Sequence, residues 1–320
     1  MMKCVFDECA HLPLTLSEYC WGHLPDKGAY KTKLLEAIKE SKDFSEANFS
    51  KADLSQVDLS GAHLFNSILE GTDLIGADLS NSDLTHCSLK DADLTKANLA
   101  NSRLWNADLS GANLAECNLS HTDLWNVKLF DAKLWRTNFL EAKSLTMKNF
   151  SDLSIFTSPS INEAGLLSAE ESYRDLKRYF ISNGMYNDAS WASFKEKTME
   201  RRILKKNRAP NYFPSMLMNI LCGYGEKPYR IIFSAIAMVF LFAVIYLSLN
   251  AVENAMAPDY KLRWSDYIYY STVTFTTVGY GDFIPKPHAL FRLLAASEAF
   301  IGVFLTGLFI FTLARKYSAR

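Results

Sequence analysis

A strict period of five constrains this chain more than any other feature. Phe44, Phe49, Leu54, Leu59 and Leu64 begin a ladder that continues through every fifth residue to Leu134 and Phe139, twenty positions without a break. Two residues before most rungs stands a small side chain, such as Ala47, Ala52, Ala62, Ala77, Cys87 or Cys117. Between the two there is commonly Asp or Asn, as in Ala52-Asp53-Leu54. A period of five fits neither an amphipathic helix nor a flat strand, whose side chains repeat every 3.6 and 2 residues. Cys87 and Cys117 fill small-residue positions of the repeat and read as structural, inert thiols.

Over residues 43–143 this pattern resembles the pentapeptide-repeat family, consensus A-(D/N)-L-x-x. The resemblance implies a right-handed quadrilateral β-helix with four pentapeptides per coil and the small residue at the tight corner. Twenty repeats then make about five coils, ~24 Å tall at the ~4.8 Å interstrand spacing. Some members of the family mimic duplex DNA. Here Glu40–Lys143 holds 16 acidic and 9 basic residues, a net of −7 interrupted by Arg103, Lys128, Lys133 and Arg136. That surplus is modest, so a rigid scaffold or interaction surface is the better reading. Over the whole chain 34 basic residues face 35 acidic ones, which excludes a generally basic nucleic-acid binder. Trp105, Trp125 and Trp135 are expected on the surface. The first two, 20 residues apart, should stack into a stripe that suits a protein partner.

Ahead of the repeats lies Cys4-x4-Cys9-x10-Cys20-x2-His23. Two short pairs of thiol and imidazole ligands suit a tetrahedral Zn²⁺, and a segment of residues 1–25 is too short to bury a core without one. The alternatives are an unstructured terminus, or disulfides if this end met an oxidising compartment. His11 lacks a ligand partner at short range. A helical linker is expected at 26–42, helical over Lys31–Ser41.

After Ala142 the period stops. Thr157-Ser158-Pro159-Ser160 reads as a loop, followed by an αα-hairpin over 160–208 with helices Ala169–Ser182 and Asp188–Lys206, separated by an Asn183-Gly184 stop. Lys195–Arg208 carries seven basic and two acidic residues. With Tyr212, Phe213, Met216, Leu217, Ile220 and Leu221 behind it, the run reads as a basic belt ahead of an interfacial segment at 209–228.

Ile231–Leu249 has 19 residues without a charge and reads as apolar apart from Ser234 and Ser248. At 1.5 Å per residue it spans ~29 Å, the thickness of a bilayer core. A second span is expected over 289–313, whose last 15 residues, Ala299–Leu313, are uncharged. Positive charge gathers before the first span (Lys205, Lys206, Arg208, Lys227, Arg230) and after the second (Arg315, Lys316, Arg320). The positive-inside rule then places both termini in the cytoplasm of a cell-membrane protein. Nothing in Met1–Ala10 has the apolar core of a signal peptide.

Between the spans, Ser265 can cap a short helix over 265–276. Thr277-Val278-Gly279-Tyr280-Gly281 then supplies what a dehydrated K⁺ needs, successive carbonyls turned toward one axis, with glycines to permit a partly left-handed backbone. Thr277 adds a hydroxyl ring and Tyr280 packs outward. One chain gives a quarter of each ring, so the pore must be a homotetramer. Residues 229–315 resemble the two-transmembrane potassium channels, whose motif matches Thr276–Asp282. The resemblance also places Pro285 after the filter, Thr276 and Asp282 as its support, and a gating hinge at Gly302. Glu298 departs from an all-apolar inner helix; an intramembrane carboxylate is a functional candidate that supports the filter by bracing the pore helix or sets the cavity field, the alternative being a neutral, hydrogen-bonded acid. Cytoplasmic control would reach the inner helix by packing, through the segment before Pro228.

The reading is a multidomain protein: a pentapeptide-repeat solenoid, an α-helical hairpin and an all-α two-transmembrane pore. Its function would be a homotetrameric K⁺ channel in a lipid bilayer, with structural Zn²⁺ at Cys4, Cys9, Cys20 and His23. The repeat domain would serve assembly, partner binding or gating. The alternative is a membrane-anchored interaction scaffold with a silent pore. No nucleophile–base constellation points to an enzyme, and nothing points to nucleic acid.

Overall fold

The computed structural model describes residues 4, 5, 9, 11–150, 163–257 and 259–318, the last four by backbone only. The loop expected at 157–160 and the side chains of Arg315, Lys316 and Arg320 lie outside the described residues. The chain divides into two compact units, Met1–Ile203 and Leu204–Arg320.

In the first unit each residue before a rung pairs in parallel with the residue 20 further on, from Asp43↔His63 to Asp123↔Lys143. Four pentapeptides therefore complete one coil. All twenty ladder side chains are buried, each contributing about 1.5–3 kcal/mol of apolar burial. The corner lies in the two residues after each rung, and the small residue closes it, as Ala52 N donates to Phe49 O at 2.9 Å. The second corner residue is left-handed at every repeat, from Glu46 (φ 60°) to Glu141 (φ 53°), with Asn and Gly frequent. This is what a type II turn demands of its third residue. Where Asp or Asn precedes a rung it can reach over the corner: Asp108 Oδ1 accepts from Ser110 N (3.1 Å) and Ser110 Oγ (2.5 Å). On one face Asn98, Asn118 and Asn138 each donate to the Asp or Asn one coil below, Asp78 being the first acceptor. Burial pushes the Cys87 thiol up to about 11 and raises that of Cys117 as well, so neither supplies a reactive thiolate.

Both ends of the stack are covered. Helix α1 (Lys27–Glu40) starts four residues earlier than expected, because Asp26 Oδ1 accepts from Ala29 N at 2.9 Å. It lays Tyr30, Leu34 and Ile38 into the same core as Phe44 and Phe49. At the other end α2 (Glu163–Ser182) and α3 (Tyr186–Lys206) form the hairpin, with Gly184 left-handed at the break (φ 70°). Tyr179 Oη donates to Ala142 O (2.7 Å), Asp188 Oδ1 accepts from Met147 N (2.7 Å), and Phe150 stacks on Trp191 at 5.4 Å. Trp135 corrects an expectation. It is half-buried, its Nε1 donating to Glu171 Oε2 at 2.7 Å, so it fastens the hairpin rather than facing a partner. Within the hairpin, burial works against ionising Glu196, but Lys177 and Arg174, each 3.1 Å away, outweigh it and hold the carboxyl below its ordinary range.

The second unit holds α4 (Tyr212–Cys222), α5 (Pro228–Leu249), strand β1 (Val252–Asn254), α6 (Trp264–Phe275), strand β2 (Phe283–Pro285) and α7 (Ala289–Ser318). Pro228 opens α5 at its first turn, where its missing N–H costs nothing. Helices α5 and α7 are the described helices long and apolar enough to cross a membrane. Helix α4 leaves Phe213, Leu217 and Ile220 exposed along one side.

Candidate functional site

The stretch from Thr277 to Gly281 hangs between α6 and β2. Helix α6 begins at Trp264, not at a Ser265 cap: Asp266 Oδ2 accepts from Arg263 N at 2.7 Å, so the acid in the first turn does the capping and favours the positive helix end. Its carboxyl end leads straight into the loop, with Thr277 N donating to Thr274 O and Val278 N to Val273 O, both 3.0 Å. From there the left-handed positions alternate: Thr277 at φ 55°, Gly279 at 58°, Gly281 at 80°. The glycines were expected to carry this conformation. Thr277 shares it, at a backbone cost of about 1–3 kcal/mol that its surroundings must hold.

The far end of the loop is fixed by a ribbon that sequence reading missed. Strands β1 and β2 pair antiparallel, Val252↔Pro285 to Asn254↔Phe283. Ala255 N donates to Asp282 O (2.9 Å) and Lys286 N to Ala251 O (2.9 Å). Asp282 and Pro285 thus tie the loop to the chain leaving α5, and Tyr269 on α6 interacts with the Asp282 carboxylate. Two three-residue strands give no periodic signal long enough to read.

Behind the loop stands a buried polar cluster. Glu298 on α7 is fully buried and accepts from Tyr246 Oη on α5 at 2.7 Å. Its other oxygen meets Ser271 Oγ of α6, which lies 2.9 Å from Val239 O of α5. One carboxyl therefore joins three helices. Tyr246, counted among the apolar residues of the first span, was the overlooked partner; only its three-dimensional position reveals it. Four residues on, Gly302 has no room for a side chain, since a Cβ would stand 1.9 Å from Phe275 O at the end of α6. Nearer the start of α5, Cys222, Ile231, Phe275 and Leu305 share one cluster, which puts the end of α4 against the inner helix α7.

In the first unit the structure also brings together Cys4, Cys9, Cys20 and His23, whose ligand atoms all lie within 4.8 Å of one another. Cys4 Sγ and Cys20 Sγ stand 3.6 and 3.5 Å from His23 Nδ1, and Cys9 Sγ 3.8 Å from Cys20 Sγ. A tetrahedral Zn²⁺ with Zn–S of ~2.3 Å and Zn–N of ~2.0 Å has edges of ~3.8 Å (S to S) and ~3.5 Å (S to N). The fit is close. Cys20 N also donates to Cys4 Sγ (3.3 Å), the outer bond a thiolate ligand attracts. His11 Nδ1 does come within 3.5 Å of Cys9 Sγ but stays outside the four. Trp105 and Trp125 stack edge to face at 6.4 Å and remain exposed.

An ion-channel family profile matches residues 234–319, and a pentapeptide-repeat profile matches 43–81, 77–114 and 107–143. This chain is a pentapeptide-repeat domain fused to an ion-channel domain. The ion-channel domain is similar to the two pore potassium channel b of Oryza sativa subsp. japonica, 34% identical over 96 residues. That match covers 28% of this chain, and the chain spans only a quarter (25%) of the rice relative. The repeat domain is similar to a pentapeptide repeat protein from the Arabidopsis thaliana thylakoid lumen, at 27% identity over 30% of this chain and 64% of that one (TM-score 0.23). It is also similar to one from Nostoc, at 27% identity over 39% and 93% of the two chains (TM-score 0.29). Neither of the two domain families consists of enzymes.

Proposed function

We propose that this chain forms a homotetrameric, potassium-selective channel. The observation that carries the reading is the alternating left-handed backbone at Thr277, Gly279 and Gly281, the conformation that turns successive carbonyls of Thr277–Tyr280 to one side. Four copies supply closed rings, and exposed Val278, Tyr280, Phe300 and Val303 give each copy surfaces for its neighbours and for lipid. The positive cluster of Lys205, Lys206, Arg208, Lys227 and Arg230 ahead of the first span favours a cytoplasmic side for the solenoid, which we take as right-handed, and for both termini in the cell membrane. Control from that side would pass through the buried cluster that Cys222 shares with Leu305 to α7 and its hinge candidate Gly302. We assign a structural Zn²⁺ to the Cys4, Cys9, Cys20 and His23 cluster. The exposed Trp105–Trp125 pair favours, as a second role, docking of a protein partner on the solenoid. The scaffold reading with a silent pore rests on the same pair. Proteoliposomes decide between the two: Ba²⁺-sensitive K⁺ and Rb⁺ flux, with reversal potentials that follow K⁺ and ignore Na⁺, is expected. Absence of flux, or potentials that follow Na⁺ equally, would reject the channel reading.

Within that reading Glu298 is a positioning residue for the filter. A glutamine at 298 offers an acceptor to Tyr246 and a donor to Ser271 Oγ, freeing the serine hydroxyl for Val239 O. E298Q is therefore expected to keep selective flux. E298L strands the buried Tyr246 hydroxyl, while Ser271 keeps Val239 O; at about 1–3 kcal/mol in each of the four subunits, flux should fall roughly tenfold or more. Equal flux in E298L and the parent, or E298Q as inactive as E298L, would remove Glu298 from this role.

A further inference from the structure

We infer that the Cys4, Cys9, Cys20 and His23 metal site is a clasp that closes the first coil of the solenoid, rather than a separate folded module beside it; this rests on the Zn²⁺ assignment above. An open solenoid end presents a row of unpaired strand groups to anything that can add a strand. Here the edge is the coil at 43–62, and the chain that covers it is the loop between two of the metal ligands, Cys9 and Cys20.

Thr15 N donates to Asn48 O at 2.8 Å, and Asn48 N donates back to Thr15 Oγ1 at 2.7 Å. The Thr15 amide thus meets Asn48 O as the backbone of a preceding coil would, and the Thr15 hydroxyl stands in for the carbonyl such a coil would offer Asn48 N. Asn48 Nδ2 donates to Pro13 O at 2.8 Å. Leu14, 2% exposed, drops into the repeat core beside Phe44 and Phe49. Tyr30 Oη and Lys33 Nζ of α1 then donate to Thr15 O (3.1 Å) and Leu16 O (2.9 Å), holding the loop from the other side. Leu16 itself is left-handed (φ 64°), a conformation an unrestrained leucine avoids. So short a loop, with Leu14 the one side chain among its described residues that joins the core, needs its ends held. Cys9 and Cys20 are those ends, and Cys4 and His23 complete the set that joins them through the metal. The fitting ion is a divalent cation that takes thiolate and imidazole in a tetrahedron, Zn²⁺ first.

The clasp acts locally, because solenoid coils couple mainly to their neighbours. The test uses the full chain in detergent. Metal analysis should find about one Zn²⁺ per chain, retained by H11A and lost from C20S. Stripping the metal with a chelator should then speed hydrogen–deuterium exchange in 43–62 by roughly tenfold or more, leave 103–122 unchanged, and be reversed by added Zn²⁺. A chain that neither carries nor binds Zn²⁺ overturns the metal assignment. Bound metal whose removal leaves exchange in 43–62 unaltered overturns the clasp and spares the assignment. Equal acceleration in every coil also overturns the clasp, since the metal would then be holding the whole repeat domain.

Discussion

Replacing Gly302 with alanine is expected to abolish potassium flux. Family resemblance marks this glycine as a hinge, where flexibility would matter. The packing gives it a different task. A Cβ here would lie 1.9 Å from Phe275 O and 2.8 Å from Phe275 C, both backbone atoms that cannot swing aside. Relief requires α6 and α7 to separate by more than an ångström. Overpacking of this kind costs about 1–3 kcal/mol per site and acts in all four subunits of the proposed tetramer. Phe275 stands two residues before Thr277, so the displacement enters the filter directly. Flux in proteoliposomes and tetramer survival on native gels measure it together. G307A is the paired control, because among the described residues nothing lies within 4 Å of a Cβ at Gly307. A G302A tetramer of normal stability and conductance, altered only in open probability, would instead support the hinge and reject the packing account.

G279A should abolish selectivity by a different route. Gly279 sits at φ 58° with open space around a would-be Cβ, so no clash is involved. The penalty is conformational: about 1–2 kcal/mol for an L-residue in the left-handed region. Repeated in four subunits, it reaches about 4–8 kcal/mol against the conducting ring, a factor of roughly a thousand or more in its population. The relaxed backbone turns a carbonyl away from the axis, and a ring with misdirected carbonyls loses its preference for K⁺ over Na⁺. Reversal potentials under K⁺ and Na⁺ gradients provide the measurement. Wild-type selectivity in G279A would show that the left-handed geometry is not needed for conduction.

Features imposed by the backbone were open to reading along the chain. Every rung from Phe44 to Phe139 is buried, and Gly279 and Gly281 have the left-handed backbone expected of glycine there. Features that depend on a distant partner were not. Trp135 looked like its exposed neighbours until Glu171, 36 residues away, claimed its indole. Tyr246 passed for an apolar residue because Glu298 lies 52 residues on. The left-handed corner at the second residue after each rung escaped notice for another reason. Asn, Gly, His, Asp, Lys and Glu all occupy it, so no single residue type announces it. Helix starts were misjudged where another side chain did the capping: Asp26, five positions before Lys31, and Asp266, one after Ser265.

Closure of the solenoid at both ends has a consequence for how such a chain can change length. A loop and α1 hold one end, the α2–α3 hairpin holds the other, and each coil consumes 20 residues. Inserting or deleting a whole coil lengthens or shortens the column but returns the hairpin to the same side of it. Inserting a single pentapeptide advances the chain by one corner of four and swings the hairpin a quarter circle about the column relative to the metal clasp. The repeat domain is in this sense an indexing shaft: its height varies freely in whole coils, while its angular setting admits four values and is fixed by the count of pentapeptides between the caps.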